Sequence, residues 1–130
     1  MGAALTFLTL PSTGMMGAEP KAPAVRLVVD YGDGAQVHFT ALPWRDGMTV
    51  LDALNAAQAH PHGITFTQKG SGSGAMITKI GDLKNEGGGQ NSKNWMYYLN
   101  DKAGEVGAGS QRLKPMDAVL WKFEVYEYNS

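Results

Sequence analysis

Apolar and polar residues alternate along "AVRLVVDYGDGAQVHFTAL", residues 24–42, on both sides of a glycine-rich break. Val25, Leu27 and Val29 fall on one face, and Val37, Phe39 and Ala41 repeat the pattern after the break. A period of two is that of a half-buried strand, and Asp33-Gly34 supplies the positive φ of a tight turn, so the pattern predicts a β-hairpin. The period then changes. In "MTVLDALNAAQAHPHG", Val50, Leu51, Leu54 and Ala57 share one helical face. Thr49 with Asp52 three residues on forms a capping box, Met48 is placed to staple onto Ala53, and Pro61 with Gly63 marks the exit. One helix of about three turns is expected.

Beyond it "GITFTQKG" and "AMITKI" read as short strands joined by the flexible "GSGSG". A polar loop, "KNEGGGQNSKN", leads into "NWMYYLN", where Trp95, Tyr97 and Leu99 share one face and Met96, Tyr98 and Asn100 the other. In "RLKPMDAVLWKFEVYEY" a turn at Pro115–Asp117 precedes a strand that alternates Val119, Trp121, Phe123 and Val125 with Leu120, Lys122, Glu124 and Tyr126. The order predicts an α+β, β-grasp-like fold: a mostly antiparallel sheet with one helix packed across it. Val29, Phe39, Leu51, Leu54, Trp121 and Phe123 are the candidate core, each worth roughly 1.5–3 kcal/mol when buried.

Composition narrows the functions. The 130 residues suffice for one domain, and 43% apolar with 18% charged residues is a globular balance. The net charge is −1 and Lys and Arg are scattered, so no row of phosphates is matched and nucleic acid is not an expected partner. Absence of cysteine excludes disulfides, thiolate nucleophiles and sulfur-ligated metals. The first residues are apolar from Ala3 to Leu10 and pass into a Pro/Ala stretch at Glu19–Pro23, as in a secretory leader. Two features depart from that pattern: no basic residue precedes the apolar run, and Met16 stands where a small residue is usual. A signal peptide and linker over 1–23, a domain over 24–128 and a secreted, periplasmic or cell-surface location are the expectations. No stretch reaches the ~20 apolar residues of a membrane span.

Catalytic patterns are sparse. "GSGSGA" and "GEVGAGS" lack the Gly-Lys-Ser/Thr of a phosphate loop and do not bridge a strand to a helix. Ser92 and Ser110 have no nucleophile elbow, and Asp101 with Glu105 lies at a solvated hairpin tip, where ordinary carboxylate behaviour is expected. Asp30 and Asp33 lack calcium-loop spacing and read as turn residues. His60 and His62 flank a proline without further ligands at zinc spacing. The aromatic residues remain: Trp44, Trp95, Tyr97, Tyr98, Trp121, Tyr126 and Tyr128. Only alternate rings of a strand point inward, so either Trp95 with Tyr97 or Met96 with Tyr98 faces away from the helix. Such rings either cover the sheet by packing across strands or present a binding surface.

Several spaced motifs carry a resemblance: Thr49 to Leu54 at the helix start, then Trp95, Asn100, Gly107 with Ala108, Leu113 with Asp117, and Trp121. In that order they resemble the transcobalamin C-terminal-like domain, over roughly Val25 to Tyr126. Asp101 and Met116 depart from it, standing where that family has glycine. The resemblance implies a β-grasp module of bacterial exported proteins, akin to the domain that caps cobalamin in eukaryotic carriers. There cobalamin lies between the module and a helical barrel that this chain lacks, so a partner would have to complete the site.

The expectation is therefore an exported, non-catalytic module holding a ligand, with cobalamin the one implied, on the strand and hairpin around 95–109. Trp95 and Tyr97, or Tyr98 if the other face is open, would stack on it. Asn100 would fix the hairpin or offer its amide, and Gly107 and Gly109 would allow close approach of the ligand. The alternatives are a structural or adhesive domain pairing with another exported protein through an edge strand, and a metal-binding protein using His60 and His62.

Overall fold

The computed structural model describes residues 22–126. The leader expected over 1–23 lies outside the described residues except for Ala22 and Pro23, as does Tyr128. The elements are β1 (Ala24–Asp30), β2 (Gln36–Pro43), α1 (Val50–Ala59), β3 (Phe66–Lys69), a 3-10 turn (Gly72–Gly74), β4 (Met76–Ile80), β5 (Leu83–Lys84), β6 (Lys93–Leu99), β7 (Lys102–Ala103) and β8 (Ala118–Val125). The main sheet runs in the order β2-β1-β8-β6-β7, with β1 and β8 parallel and the other pairs antiparallel. This is the expected α+β arrangement of a helix packed on a mostly antiparallel sheet.

The hairpin and the helix follow the pattern of their residues. Thr49 Oγ1 accepts from Asp52 N–H and Asp52 Oδ2 accepts from Thr49 N–H, closing the capping box. Val50, Leu51, Ala53, Leu54 and Ala57 are buried, together with Val25, Leu27, Val29 and Phe39. One inward position differs. Leu27 pairs with Phe39 but Val25 with Leu42, so β2 carries an extra residue there. That bulge turns Leu42 into the core and leaves Ala41 exposed, where simple alternation predicts Ala41 inside.

The helix does not cover the sheet alone. Five strands at about 4.8 Å spacing are about 19 Å across, whereas a helix with its side chains is about 10 Å wide. α1 packs on β1 and β2, and the side of β6 is met by a second sheet, β3-β4-β5. Here too a bulge sets the burial: Thr67 pairs with Lys79 and Gln68 with Ile77, leaving Thr78 extra. Ile77 and Ile80, three residues apart on one strand, are thus both buried.

Both departures from the glycine pattern keep the glycine conformation. Asn100 and Asp101 have φ of 50° and 72°, the mirror-image turn that suits a two-residue hairpin. Met116 has φ of 74° and is 83% exposed, so a methionine holds the left-handed conformation that glycine adopts more readily. Among the described residues no helix is long and apolar enough to cross a membrane.

Candidate functional site

Where β6 meets the small sheet there is a cleft of about 1030 Å³, at the upper end of ordinary ligand pockets. One wall is the Ala75–Thr78 stretch, with Lys69 and Lys84 on the neighbouring strands. The opposite wall is Asn94 to Tyr98 with Ala103, Gly104, Gly107 and Ala108, and Trp121 and Tyr126 come from the closing strand and its end. Two of the exposed large apolar side chains, Met76 at 60% and Tyr126 at 45%, belong to this lining.

Trp95 and Tyr97 face the core, with exposures of 5% and 9%. The Trp95 indole N–H donates to Leu83 O at 2.8 Å, and its ring meets Tyr31 edge-on and Phe123 at a tilt. The Tyr97 hydroxyl donates to Val106 O at 2.5 Å, its ring packs against Trp121, and a Cβ on Gly104 would overlap that ring. Burial pushes the Tyr97 phenol above its usual pKa, as it does that of Tyr31. Stacking of a ligand on the faces of Trp95 and Tyr97 is therefore corrected: those faces are used inside the protein, and the two residues reach the cleft as part of its floor.

Tyr98 is on the other side of the strand and half-buried. Its hydroxyl donates to a carboxylate oxygen of Glu124, a bond that pushes the phenol up to about 12. Of the expected ligand contacts, Trp95, Tyr97, Tyr98 and Gly107 line the cleft, and Asn100 and Gly109 do not. The Asn100 amide donates to Asp117 Oδ1 and its carbonyl accepts from Ala118 N–H, both at 2.9 Å, so it ties the hairpin to β8. The close approach at Gly109 is to the chain itself. A Cβ there would collide with Gly72 O, and one on Gly107 would lie 3.2 Å from Ser73 O.

That packing has a purpose at the helix. Val50 N–H donates to Gln111 O at 2.9 Å and Leu51 N–H to Ala108 O at 3.0 Å. With the capping box, the amides of the first turn that have no partner within a helix are all satisfied. The glycines around Ala108 thus let the segment reach the helix N-terminus.

Sequence reasoning missed Asn85, placed in a polar loop. Its Oδ1 accepts from Trp95 N–H at 2.8 Å and its Nδ2 donates to Ile77 O at 2.9 Å, which stitches the small sheet to β6. A side chain bridging two backbones leaves no periodic trace, and the flanking glycines make the stretch look like linker.

The histidines line a smaller cavity of about 430 Å³ beside β2, formed with Phe39 and Leu42. The rings of His60 and His62 are 6.1 Å apart, and His60 Nδ1 accepts from His62 N–H at 3.0 Å. Coordination through His60 Nε2 would require a proton on that accepting nitrogen, so the hydrogen bond opposes metal binding as the loop stands. Among the described residues no group of three or more His, Asp or Glu is placed to hold a metal ion.

No curated protein matches the chain significantly. Among solved structures it is similar to that of a proposed metal binding protein from Ruminococcus gnavus ATCC 29149. The TM-score is 0.62 at 13% identity, over 81% of this chain and 99% of that one, a likeness of fold. Residues 47–125, more than half of the chain, match the family described as Domain of unknown function (DUF4430).

Proposed function

The chain belongs to this DUF4430 family, and from that premise we propose that it is an exported, non-catalytic binding module whose ligand enters the cleft between β6 and the small sheet. The observation that carries the reading is the cleft itself: about 1030 Å³, lined mainly by apolar and aromatic side chains, with Met76 and Tyr126 kept exposed at its edge. A hydrophobic opening of this kind in a small domain marks a surface meant to be covered. Tyr98, Met96, Met76 and Tyr126 are the contacts available to the ligand, in place of the buried faces of Trp95 and Tyr97.

The resemblance to the transcobalamin C-terminal-like domain points to a corrinoid as the ligand. An open cleft covers one side of such a molecule, so tight binding needs a partner chain over the other side. Trp95 and Trp121 both line the cleft, which makes tryptophan fluorescence the readout. Cobalamin titration is expected to quench it saturably, and no quenching at tens of micromolar would reject the corrinoid. A concentration-dependent dimer in sedimentation, without ligand, would favour the adhesive alternative, with the edge strand β2, which has no Lys, Arg, Asp or Glu, as its surface.

A second reading, metal binding, draws on the described role of the Ruminococcus gnavus protein and on the paired rings of His60 and His62. Calorimetry with zinc and with copper, repeated on His62→Ala, tests it. Heat that survives the substitution would place any metal elsewhere.

A further inference from the structure

We propose that the ligand of this cleft is an amphiphilic anion of small-molecule size, with its apolar body against Met76, Met96, Tyr98 and Tyr126 and its anionic group drawn to Lys69 and Lys84. The proposal rests on the cleft being a binding site and adds the chemical class of what enters it. Charge is the first observation. The sequence holds 12 Asp and Glu residues against 11 Lys and Arg, yet no carboxylate lines the cleft and both charged lining residues are lysines.

Neither lysine is neutralised by its surroundings. Among the described residues the ion pairs are Arg45–Asp52 and Lys122–Glu124, which leaves Lys69 and Lys84 without a carboxylate within 4.0 Å. Lys84 also stands directly opposite Lys79 across β4 and β5. Like charges facing each other on adjacent strands repel, and an anion beside them relieves that repulsion.

Trp121 also lines the cleft, but its indole N–H, which has no acceptor among the described residues, is buried and is not presented to a ligand. The Asn85 and Asn94 amides are already committed to Ile77, Trp95 and Gly87. The cleft thus carries two lysine ammonium groups on an apolar surface, and the carboxylate that reaches Tyr98, Glu124, is already bonded to the Tyr98 hydroxyl and paired with Lys122. Such a surface complements a molecule with negative charge on a hydrocarbon or aromatic frame. Lys69 pairs across the strands with Met76, so the first ammonium is adjacent to an exposed apolar side chain.

A matched pair of fluorescent probes tests this on the whole chain: 1-anilinonaphthalene-8-sulfonate and N-phenyl-1-naphthylamine, the same frame without the sulfonate. The sulfonate is expected to bind about tenfold more tightly, the size of two partly exposed charge contacts. The preference should shrink as salt takes the screening length from about 10 Å at 0.1 M to about 3 Å at 1 M. Lys69→Gln with Lys84→Gln should abolish it while leaving the neutral probe's affinity unchanged. Lys102→Gln with Lys114→Gln changes net charge equally outside the cleft and should leave the preference intact. Equal affinity for the two probes would overturn the anion and leave the cleft standing as a binding site. Binding of neither probe would overturn both. A preference that survives Lys69→Gln with Lys84→Gln, with the circular dichroism of a folded chain, would also overturn the assignment.

Discussion

The two faces of β6 are built from nearly the same chemistry and put to opposite uses. On one face the side-chain polar atoms of Trp95 and Tyr97 are bonded to backbone carbonyls and their rings are wedged among Tyr31, Phe123 and Trp121. On the other, Met96 and Tyr98 are half-buried, and the Tyr98 hydroxyl is paired with a side chain, Glu124. A ring held by the backbone is fixed by the fold itself. A ring held by another side chain can exchange that partner at little cost to the fold. The difference teaches that aromatic content in a strand does not mark a binding face; the kind of partner on the polar atom separates structural rings from available ones.

The comparison is broken most directly at Trp95. Trp95→Ala removes a large buried ring and leaves Leu83 O without its donor, so urea denaturation should show a loss of about 3–5 kcal/mol. A loss under about 1 kcal/mol, the scale of a surface change, would mean that this face is not core. A finer contrast uses the two buried indoles. Trp95→Phe abandons a satisfied hydrogen bond, whereas Trp121→Phe deletes an N–H that has none, so the second should cost less by about 1–2 kcal/mol on the same measurement. Equal costs would show that ring volume alone decides.

The smallest effect is at Tyr98 and appears in alkaline solution. Its hydrogen bond to Glu124, with burial adding to it, keeps the phenol protonated up to about 12 in the folded chain, against 10.0 for an ordinary tyrosine. Between those values the folded state holds more protons than the unfolded one. The stabilisation is therefore complete below about pH 10 and is lost as pH rises through about 12. Tyr98→Phe should flatten this decline without changing stability at neutral pH by more than about 1 kcal/mol. An unchanged alkaline limb in denaturant midpoints would assign it to Tyr31 and Tyr97 instead.

Much of the fold was legible because it depends on period and local chemistry. Val25, Leu27 and Val29 alternate, Thr49 and Asp52 have capping spacing, and the structure has both the hairpin and the capped helix. What was not legible depends on single insertions and on side chains that act as backbone. The bulge that exchanges Ala41 for Leu42 is visible only once β1 fixes the register. Ile77 and Ile80 break alternation for the same reason, which hid the small sheet. At the candidate site the strand expected from its aromatic residues lines the cleft, but the alternation of Trp95, Met96, Tyr97 and Tyr98 is symmetric, and only the packing of β6 says which pair is inside. Of the two roles the sequence leaves open for Asn100, the structure has the one that fixes the hairpin, whereas at Gly109 close approach looks the same in sequence whether the neighbour is a ligand or the chain itself.

The stretch from Gly107 to Gln111 gives the domain a built-in reporter. Gly107 and Ala108 form part of the cleft wall, and the carbonyls of Ala108 and Gln111 hold the first two amides of α1. Those amides exchange with solvent when this wall moves away, so their exchange clock runs on the wall's motion. A molecule that fills the cleft and stiffens the wall should slow deuterium uptake at Val50 and Leu51 while the β1–β2 hairpin keeps its unliganded rate. Equal slowing everywhere would indicate global stabilisation, and no slowing at α1 would mean that occupancy leaves the wall as mobile as before.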